Sequence, residues 1–359
     1  MSVLHDDSLI IRIWYEIALH AIDSRASDIH IEAGISGTLV RLRVDGLLQE
    51  HAHHPPDLHE RLITRIKILA RLDIAEKRLP QDGRLTIGRD FSNPNIDCRV
   101  SLLPTLYGEK AVIRILPNRI EELALDQLGL LSEQLAIFRN ALGQTHGLIL
   151  VTGPTGSGKT RTLYSCLQSL NQSHRNICSI EDPVEIRLPG INQVSYHPRA
   201  GLDFTSIIRA ILRQDPDVIM IGEIRDRASA ELAVQAAQTG HLVLSTLHTR
   251  NARGALARLQ ALGIDREAVQ SCIRSISSQR LIQRICARCQ NNKFASGELC
   301  RLCNGTGFFG RLGVHEVLSD QQLLISNLQY LTMYEAGLHH VTQGWIEQHT
   351  LDAEVGKWS

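Results

Sequence analysis

The sequence has few aromatic residues and no net charge. Phe, Trp and Tyr make up 4% of its 359 residues, and 38 Lys and Arg balance 38 Asp and Glu. Proteins that bind single-stranded nucleic acid combine aromatic stacking platforms with a basic groove, and a balanced chain has no global field that attracts polyanions. We therefore expect no nucleic-acid partner, and we interpret the arginines gathered between residues 250 and 288 as part of a protein interface.

Long apolar segments are also missing. No apolar run approaches the roughly 20 residues that span a bilayer, and the N-terminus lacks a basic-then-apolar leader. Repeats at solenoid periods and low-complexity segments are absent as well. Four of the eight cysteines are scattered along the chain, which suits a reducing compartment better than a disulfide framework. These absences favour a cytoplasmic, globular protein, and the length suggests two or three domains.

The hydrophobic pattern divides the chain into segments of different class. Residues 1–117 read as a small α+β domain with two amphipathic helices and several alternating strands. Residues 118–126 read as a linker, and residues 127–283 alternate strands and helices, as an α/β parallel sheet does. Residues 284–310 contain the remaining cysteines, and residues 311–359 are expected to form a short C-terminal helical region.

Residues 153–160 read Gly-Pro-Thr-Gly-Ser-Gly-Lys-Thr, between an apolar strand that ends at Thr152 and a predicted helix from Lys159. This is a complete phosphate-binding loop in its expected context. Its glycines let backbone N–H groups point at phosphate oxygens, and the helix N-terminus adds partial positive charge. The individual cofactor-binding residues are Gly153, Pro154, Thr155, Gly156, Ser157, Gly158, Lys159 and Thr160. Lys159 is predicted to reach the β- and γ-phosphates of ATP, and the Thr160 hydroxyl to ligate Mg²⁺.

Acidic residues follow two further predicted strands of the α/β segment. Glu223 ends the strand at 217–221, where a carboxylate beside a phosphate loop can orient the attacking water, so it is the candidate catalytic base. Glu181 follows the strand at 177–180 and is a candidate ligand for Mg²⁺-bound water. A solvated acid at a strand end and a plain Asp182-Pro183 turn stay open as alternatives.

Two histidines bracket the strand at 241–245. His241 and His248 are candidates for contact with a γ-phosphate or for sensing its loss. A single histidine is more often structural; two at the ends of one strand in this sheet favour function.

The spacing of the last cysteines, Cys-x2-Cys-x10-Cys-x2-Cys, predicts a zinc site. Two Cys-x2-Cys turns can each present two thiolates and close a tetrahedron around Zn²⁺. The ligands are Cys286, Cys289, Cys300 and Cys303. A closed site of four thiolates is structural rather than catalytic. Four reduced thiols or two disulfides are the alternatives.

Together these motifs resemble the secretion ATPases of type II secretion and type IV pilus assembly, the GspE/PilB family. The matches cover nearly the whole chain from Ala26 to Glu316 in the family's order. They include the runs 26–32, 43–46 and 72–84 in the first third, the phosphate loop, the acidic run 181–185, the run 213–226 and the histidine run 237–249. The resemblance implies an α/β fold with a RecA-like P-loop ATPase domain, a smaller PAS-like N-terminal α+β domain and an inserted zinc knuckle of four cysteines.

The resemblance also implies function and assembly. It implies a homo-hexameric ring whose cofactors are ATP, Mg²⁺ and Zn²⁺, and arginines of the N-terminal domain that reach the phosphates. Arg99 and Arg114 match such positions and are candidate catalytic residues, with Arg84 as a weaker third; ordinary surface pairing is the alternative reading of all three. The expected activity is ATP hydrolysis that turns an inner-membrane platform protein and thereby moves pilin-like subunits.

The sequence also departs from the family pattern. It begins almost directly at the PAS-like domain, so a docking domain that recruits the protein to the membrane is expected to be missing. The loop between the cysteine pairs and the tail after Glu316 are short. Peripheral association with the inner membrane is therefore expected only through partner proteins. Pilus retraction is an alternative, although retraction ATPases generally lack the four cysteines. A non-catalytic nucleotide-binding scaffold and a DNA translocase are further alternatives.

Overall fold

The structure is a computed structural model and describes residues 3–88, 96–116, 124–196, 203–290, 300–325 and 328–356. The chain divides into two compact units, residues 1–118 and 119–359. Within these described ranges, no helix combines the length and the apolar character that crossing a bilayer requires.

The first unit consists, over its described residues, of two helices and a six-stranded antiparallel sheet in the order β3-β2-β1-β6-β5-β4. Its elements are α1 Val3–Asp23, β1 Asp28–Gly34, β2 Gly37–Val44, β3 Leu47–His54, α2 Pro56–Ala70, β4 Gln81–Ile87, β5 Ile96–Thr105 and β6 Gly108–Ile115. Helix α2 begins at Pro56 because proline fixes φ and lacks the N–H that the first turn leaves unpaired.

The core of the first unit is formed by every second residue of its strands, because successive side chains of a strand point to opposite faces. Alternate residues such as Ile29, Ile31, Val100 and Ile113 are fully buried against the apolar faces of α1 and α2. The intervening residues therefore point to the opposite face of the sheet, where the arginines of the strands are found.

The second unit contains, in its described part, a seven-stranded sheet in the order β13-β12-β7-β11-β10-β8-β9. A 3-10 turn at Leu125–Gln127 precedes its regular elements. They are α3 Ser132–Leu142, β7 Gly147–Thr152, α4 Lys159–Leu170, β8 Ile177–Glu181, β9 Asn192–Ser195, α5 Phe204–Ile211, β10 Val218–Ile221, α6 Arg227–Gln238, β11 Leu242–Leu247, α7 Arg253–Ala261, α8 Arg266–Cys272, β12 Ile273–Ile285, β13 Phe308–Ser319, α9 Asp320–Leu324, α10 Met333–Thr342 and α11 Gln348–Glu354.

Apolar residues cover both faces of this sheet. Strand β7 is buried along its whole length, and its Leu148 and Leu150 belong to one core cluster while Ile149 and Val151 belong to another. Helices α5 to α8 pack into the first cluster, and α3 and α4 into the second. Strands buried on both faces read as continuous apolar runs, so the α/β class was readable from the sequence.

Parallel pairing sets where the functional loops lie. Strands β12, β7, β11, β10, β8 and β9 run parallel in the described sheet. Their carboxyl ends share one edge, and this edge is where parallel α/β sheets bind ligands. The phosphate loop follows β7 at that edge.

The expectation of a helical region over 311–359 is wrong for its first part. Residues 308–319 form β13, which pairs antiparallel with β12 and closes the edge of the large sheet. The cysteine segment is thus the tip of a β12–β13 hairpin. His315 and Glu316 are buried in this strand although they are polar. They interrupt the apolar pattern from which a strand could have been predicted in the sequence. Helices α10 and α11 then pack on the hairpin around Ile282 and Val314.

Candidate functional site

The phosphate loop joins a buried strand to a helix N-terminus. Strand β7 ends at Thr152 and helix α4 begins at Lys159, with Gly158 at the N-cap position. Gly158 adopts φ +90°, a left-handed conformation that side-chain-bearing residues rarely adopt. The N–H groups from Gly158 to Arg161 have no acceptor within the helix, so they form a site for an anion.

Lys159 folds back over this loop. Its Nζ donates hydrogen bonds to the carbonyl oxygens of Gly153 and Pro154, at 2.9 Å each. Burial lowers the pKa of Lys159, and the nearby positive charge of Arg280 lowers it further, while Glu223 opposes the shift. Burial and Arg280 disfavour the charged form of Lys159. A phosphate bound beside the ammonium would add negative charge and so stabilise that charged form.

Glu223 lies two residues beyond the end of β10, at the same edge of the sheet. Its Oε1 is 3.3 Å from Nε2 of His248, which follows β11. Its Oε2 accepts a hydrogen bond from Nε of Arg225 at 3.1 Å, and Nη1 of the same arginine donates to Asp182 at 3.0 Å. Arg225 therefore joins the acidic run after β8 to the acid after β10. The structure brings together Glu223 and His248, two candidates singled out separately from the sequence, and adds Arg225.

The surroundings of Glu181 differ from those expected for a ligand of Mg²⁺-bound water. It is 4% exposed, and its carboxylate accepts hydrogen bonds from Ser179 at 2.6 Å, from Gln193 at 3.1 Å and from the hydroxyl of Tyr164. The Tyr164 oxygen also accepts the N–H of Glu185 at 3.0 Å. Since Tyr164 belongs to α4, this buried network ties the helix of the phosphate loop to the acidic run.

His241 lies at the wrong end of its strand for phosphate contact. It precedes β11, and its Nδ1 lies 3.1 Å from the carbonyl oxygen of Ala236. Strand β11 is parallel to β7, so His241 marks the edge opposite the phosphate loop, about 20 Å away along a six-residue strand. His241 therefore lies away from the phosphate loop of its own chain, and its side chain contacts the turn after α6.

The candidate arginines of the first unit form a row across its sheet. Cross-strand pairing places Arg84 opposite Arg99, Arg99 opposite Arg114, Arg114 opposite Asp28 and Asp28 opposite Arg43. Directly opposed residues share a face, so this arginine row (residues 84, 99, 114 and 43) lies on the face away from the core. Asp28 accepts a hydrogen bond from Nε of Arg114 at 2.9 Å. Opposed like charges destabilise a sheet, and Asp28 offsets this charge at the end of the row formed by Arg114 and Arg43.

The sulfur atoms of Cys286, Cys289, Cys300 and Cys303 all lie within 4.8 Å of one another, and all four residues are buried. The Sγ atoms of Cys286 and Cys300 are 3.9 Å apart, and those of Cys289 and Cys303 are 3.6 Å apart. A tetrahedron with metal–sulfur bonds of about 2.3 Å requires sulfur separations of about 3.8 Å; a disulfide requires about 2.0 Å. The geometry of the cluster therefore fits zinc and excludes disulfide pairing.

Sequence reasoning missed Gln279, which lies on β12 and contacts the phosphate loop. Gln279 is 2% exposed and is hydrogen-bonded to Ser157 and Thr162. The available signal was the polar run Ser277-Ser278-Gln279-Arg280, whose first three residues are buried in the strand. Its partners cannot be read from the sequence, because they depend on which strand lies next to β7.

Comparisons with known proteins agree with this architecture. A family model described as Type II/IV secretion system protein matches residues 3–354. The chain is 44% identical over 357 residues to the Protein transport protein HofB homolog of Haemophilus influenzae, covering 98% of this chain and 74% of that protein. It is 44% identical over 340 residues to the Type IV pilus assembly ATPase PilB of Myxococcus xanthus, covering 89% and 60%. The solved pilus retraction motor PilT with bound ADP has a TM-score of 0.66 at 26% identity, covering 94% of this chain and 95% of that one.

Proposed function

This chain belongs to the type II/IV secretion system protein family, and on that premise we propose that it is a Mg²⁺-dependent ATP hydrolase that powers the assembly of a type IV pilus or a type II secretion pseudopilus. The observation that carries the proposal is the phosphate loop at the carboxyl edge of the parallel sheet, with Glu223 and His248 at the same edge. Its test is phosphate release from ATP by the purified chain.

The proposed chemistry is in-line attack of water on the γ-phosphate. Lys159 exchanges its two loop carbonyls for the β- and γ-phosphate oxygens, and the backbone N–H groups of the loop hold the remaining charge. The Thr160 hydroxyl would hold Mg²⁺, which would supply further neutralisation of the phosphates when bound. Glu223 orients the water and accepts its proton, while Arg225 and His248 hold the carboxylate in place.

Glu181 takes a positioning role in this proposal rather than a metal-bound one. Both of its carboxylate oxygens already accept hydrogen bonds from protein donors, and a buried carboxylate would lose these bonds on turning toward a metal. We therefore assign Glu181 to the alignment of the acidic run with α4, and leave Mg²⁺ to Thr160 and the phosphates.

The arginine row is proposed to stabilise the transition state. Replacing Arg99 or Arg114 with alanine should lower kcat by about 100-fold while nucleotide affinity changes little, because the charge is needed most when the γ-phosphoryl group transfers. Lysine should rescue poorly, since a point charge does not reproduce a planar fork. Steady-state kinetics and nucleotide titration measure the two effects.

The matched control for this prediction is Arg41→Ala. Arg41 lies on the same face of the sheet but outside the row, where it donates two hydrogen bonds of 2.7 and 2.8 Å to Glu32. Its replacement should leave kcat within about threefold of the parent. Equal kcat values for the Arg114→Ala and Arg41→Ala proteins would show that the arginine row does not stabilise the transition state.

The cysteine cluster is proposed to hold structural zinc. The purified, reduced protein should contain about one zinc ion per chain, and Ser at any of the four positions should release it and destabilise the β12–β13 hairpin, since metal binding and local folding are coupled. Hydrogen bonds, the largest from the backbone N–H of Cys303, lower the pKa of Cys300 to about 7, which favours the thiolate that zinc binds. Metal analysis and thermal unfolding measure the two effects.

Cys272→Ser is the control for the zinc prediction. Cys272 is also a buried free cysteine, but it lies outside the cluster at the end of α8, so its replacement should leave the metal content unchanged. Freshly prepared reduced protein without zinc would contradict the assignment.

The biological process is a finer proposal than the family, and it depends on the degree of similarity to individual relatives. Identity of 44% to an assembly ATPase and to a transport protein favours assembly or secretion over retraction, since the solved retraction motor is 26% identical to this chain. We propose a homo-hexamer in the cytoplasm that meets the inner membrane through a platform protein and acts indirectly on pilin-like subunits. Stimulation of ATP turnover by the purified platform protein tests this assignment.

A further inference from the structure

Strand β12 runs beside the phosphate loop and places one polar side chain against it. The last residue pair of β7 with β12 is Thr152 with Ser278, so Gln279 lies alongside Gly153, the first residue of the loop. A Cβ atom on Gly153 would come within 2.6 Å of the Gln279 carbonyl oxygen, and one on Gly158 within 3.1 Å of Gln279 Nε2. Glycine at both ends of the loop therefore leaves room for Gln279.

The amide of Gln279 uses both of its ends. Its Nε2 donates to the carbonyl oxygen of Ser157 at 2.7 Å, and its Oε1 accepts the hydroxyl hydrogen of Thr162 at 2.8 Å. Ser157 belongs to the loop and Thr162 to the first turn of α4. A single buried side chain from a neighbouring strand thus holds the end of the loop and the start of the helix together.

The bond to Ser157 has a directional consequence. In a planar trans peptide the C=O of one residue and the N–H of the next point in opposite directions. Fixing the Ser157 carbonyl toward Gln279 therefore fixes the Gly158 N–H away from β12. This N–H begins the set of donors at the N-terminus of α4 that the proposed phosphate site uses.

We propose that Gln279 is a positioning residue for nucleotide binding: through the Ser157 carbonyl it sets the direction in which the phosphate loop presents the Gly158 N–H. This inference rests on the proposed function, and it adds a residue outside the phosphate-loop motif to that site. Gln279 acts through the loop and does not itself touch the phosphates.

The test compares MgADP affinity, by isothermal titration calorimetry, among full-length variants. Gln279→Leu removes both hydrogen bonds and should raise the Kd about tenfold or more, since the phosphates lose a correctly aimed, charge-assisted donor. Thr162→Val removes only the bond to α4 and should raise the Kd by no more than about threefold. Gln283→Leu, on the same strand but beyond the loop, is the control and should bind like the parent chain.

Kinetics separate positioning from a purely structural role. Loss of binding shared by ground and transition states raises KM and leaves kcat unchanged, so Gln279→Leu should raise the KM for ATP with kcat within about threefold. A structural defect alone would lower the folded fraction without changing the Kd of the folded protein. Circular dichroism and zinc content establish folding, and Gln279→Met, which keeps the side-chain length without the amide, serves if the leucine variant does not fold.

Each outcome decides a separate point. A parent chain that does not bind MgADP contradicts the proposed function. A parent chain that binds, with a folded Gln279→Leu or Gln279→Met variant whose Kd lies within twofold of it, overturns the role of Gln279 alone. A Thr162→Val loss as large as the Gln279→Leu loss overturns the assignment of the Ser157 carbonyl as the contact that matters.

Discussion

Replacing Lys159 with alanine should lower ATP turnover by about 1,000-fold or more. Lys159 is the first residue of α4 and carries an ammonium group whose pKa is lowered by burial. This ammonium donates hydrogen bonds to the neutral carbonyl oxygens of Gly153 and Pro154. It is thus prepared to exchange these neutral partners for phosphate oxygens, where a charge-assisted hydrogen bond is stronger. The measurement is steady-state phosphate release at saturating Mg²⁺ and ATP.

Lys77→Ala is the control for the Lys159 substitution. Lys77 is exposed in the first unit and pairs with Glu60 at the surface, and exposed ion pairs contribute little to stability or function. ATP turnover by the Lys77→Ala protein should equal that of the unsubstituted chain. Turnover of the Lys159→Ala protein within tenfold of the parent would reject the assignment of the active site.

Glu223→Gln should separate nucleotide binding from hydrolysis. Glutamine keeps the shape of the side chain and can still accept a hydrogen bond from Arg225, but it cannot take a proton from water. MgATP should bind with an affinity close to that of the parent, while turnover falls by about 10²- to 10⁴-fold, the contribution usual for a general base. Titration with a non-hydrolysable ATP analogue and a phosphate-release assay measure the two quantities.

Glu231→Gln provides the matched comparison for the Glu223 substitution. Glu231 lies on α6 and pairs with Arg227 one turn away at the surface, so its replacement should change neither binding nor turnover. If the Glu223→Gln protein lost MgATP binding together with turnover, Glu223 would act chiefly in holding the metal, and the assignment of the base would move elsewhere.

Local motifs were readable from the sequence because neighbours along the chain determine them. The phosphate loop from Gly153 to Thr160 needs only a strand before it and a helix after it, and the structure has both. The four cysteines occupy two short turns, so their spacing alone predicted that the thiols would converge. The family resemblance singled out Arg99 and Arg114 as candidates, but their alignment in one row with Arg84 and Arg43 depends on the strand pairing.

The rest depends on contacts between distant segments. The burial of Glu181 results from Tyr164 and Gln193, which the sequence does not place beside it. The direction of β11 decides that His248, and not His241, lies at the edge of the phosphate loop. Gln279 meets the loop only because β12, which follows more than 100 residues later, is the neighbour of β7. Strand order is a long-range property, and a single sequence does not encode it in a local pattern.

The most direct test of the central claim is phosphate release from ATP by the purified full-length chain, measured with Mg²⁺ and again with EDTA, beside a parallel titration of nucleotide binding. The account predicts saturable release in Mg²⁺ that EDTA abolishes and that the Glu223→Gln substitution suppresses without loss of binding. Tight MgATP binding with no phosphate release, with or without the platform protein, would contradict it and would identify the chain as a nucleotide-binding scaffold.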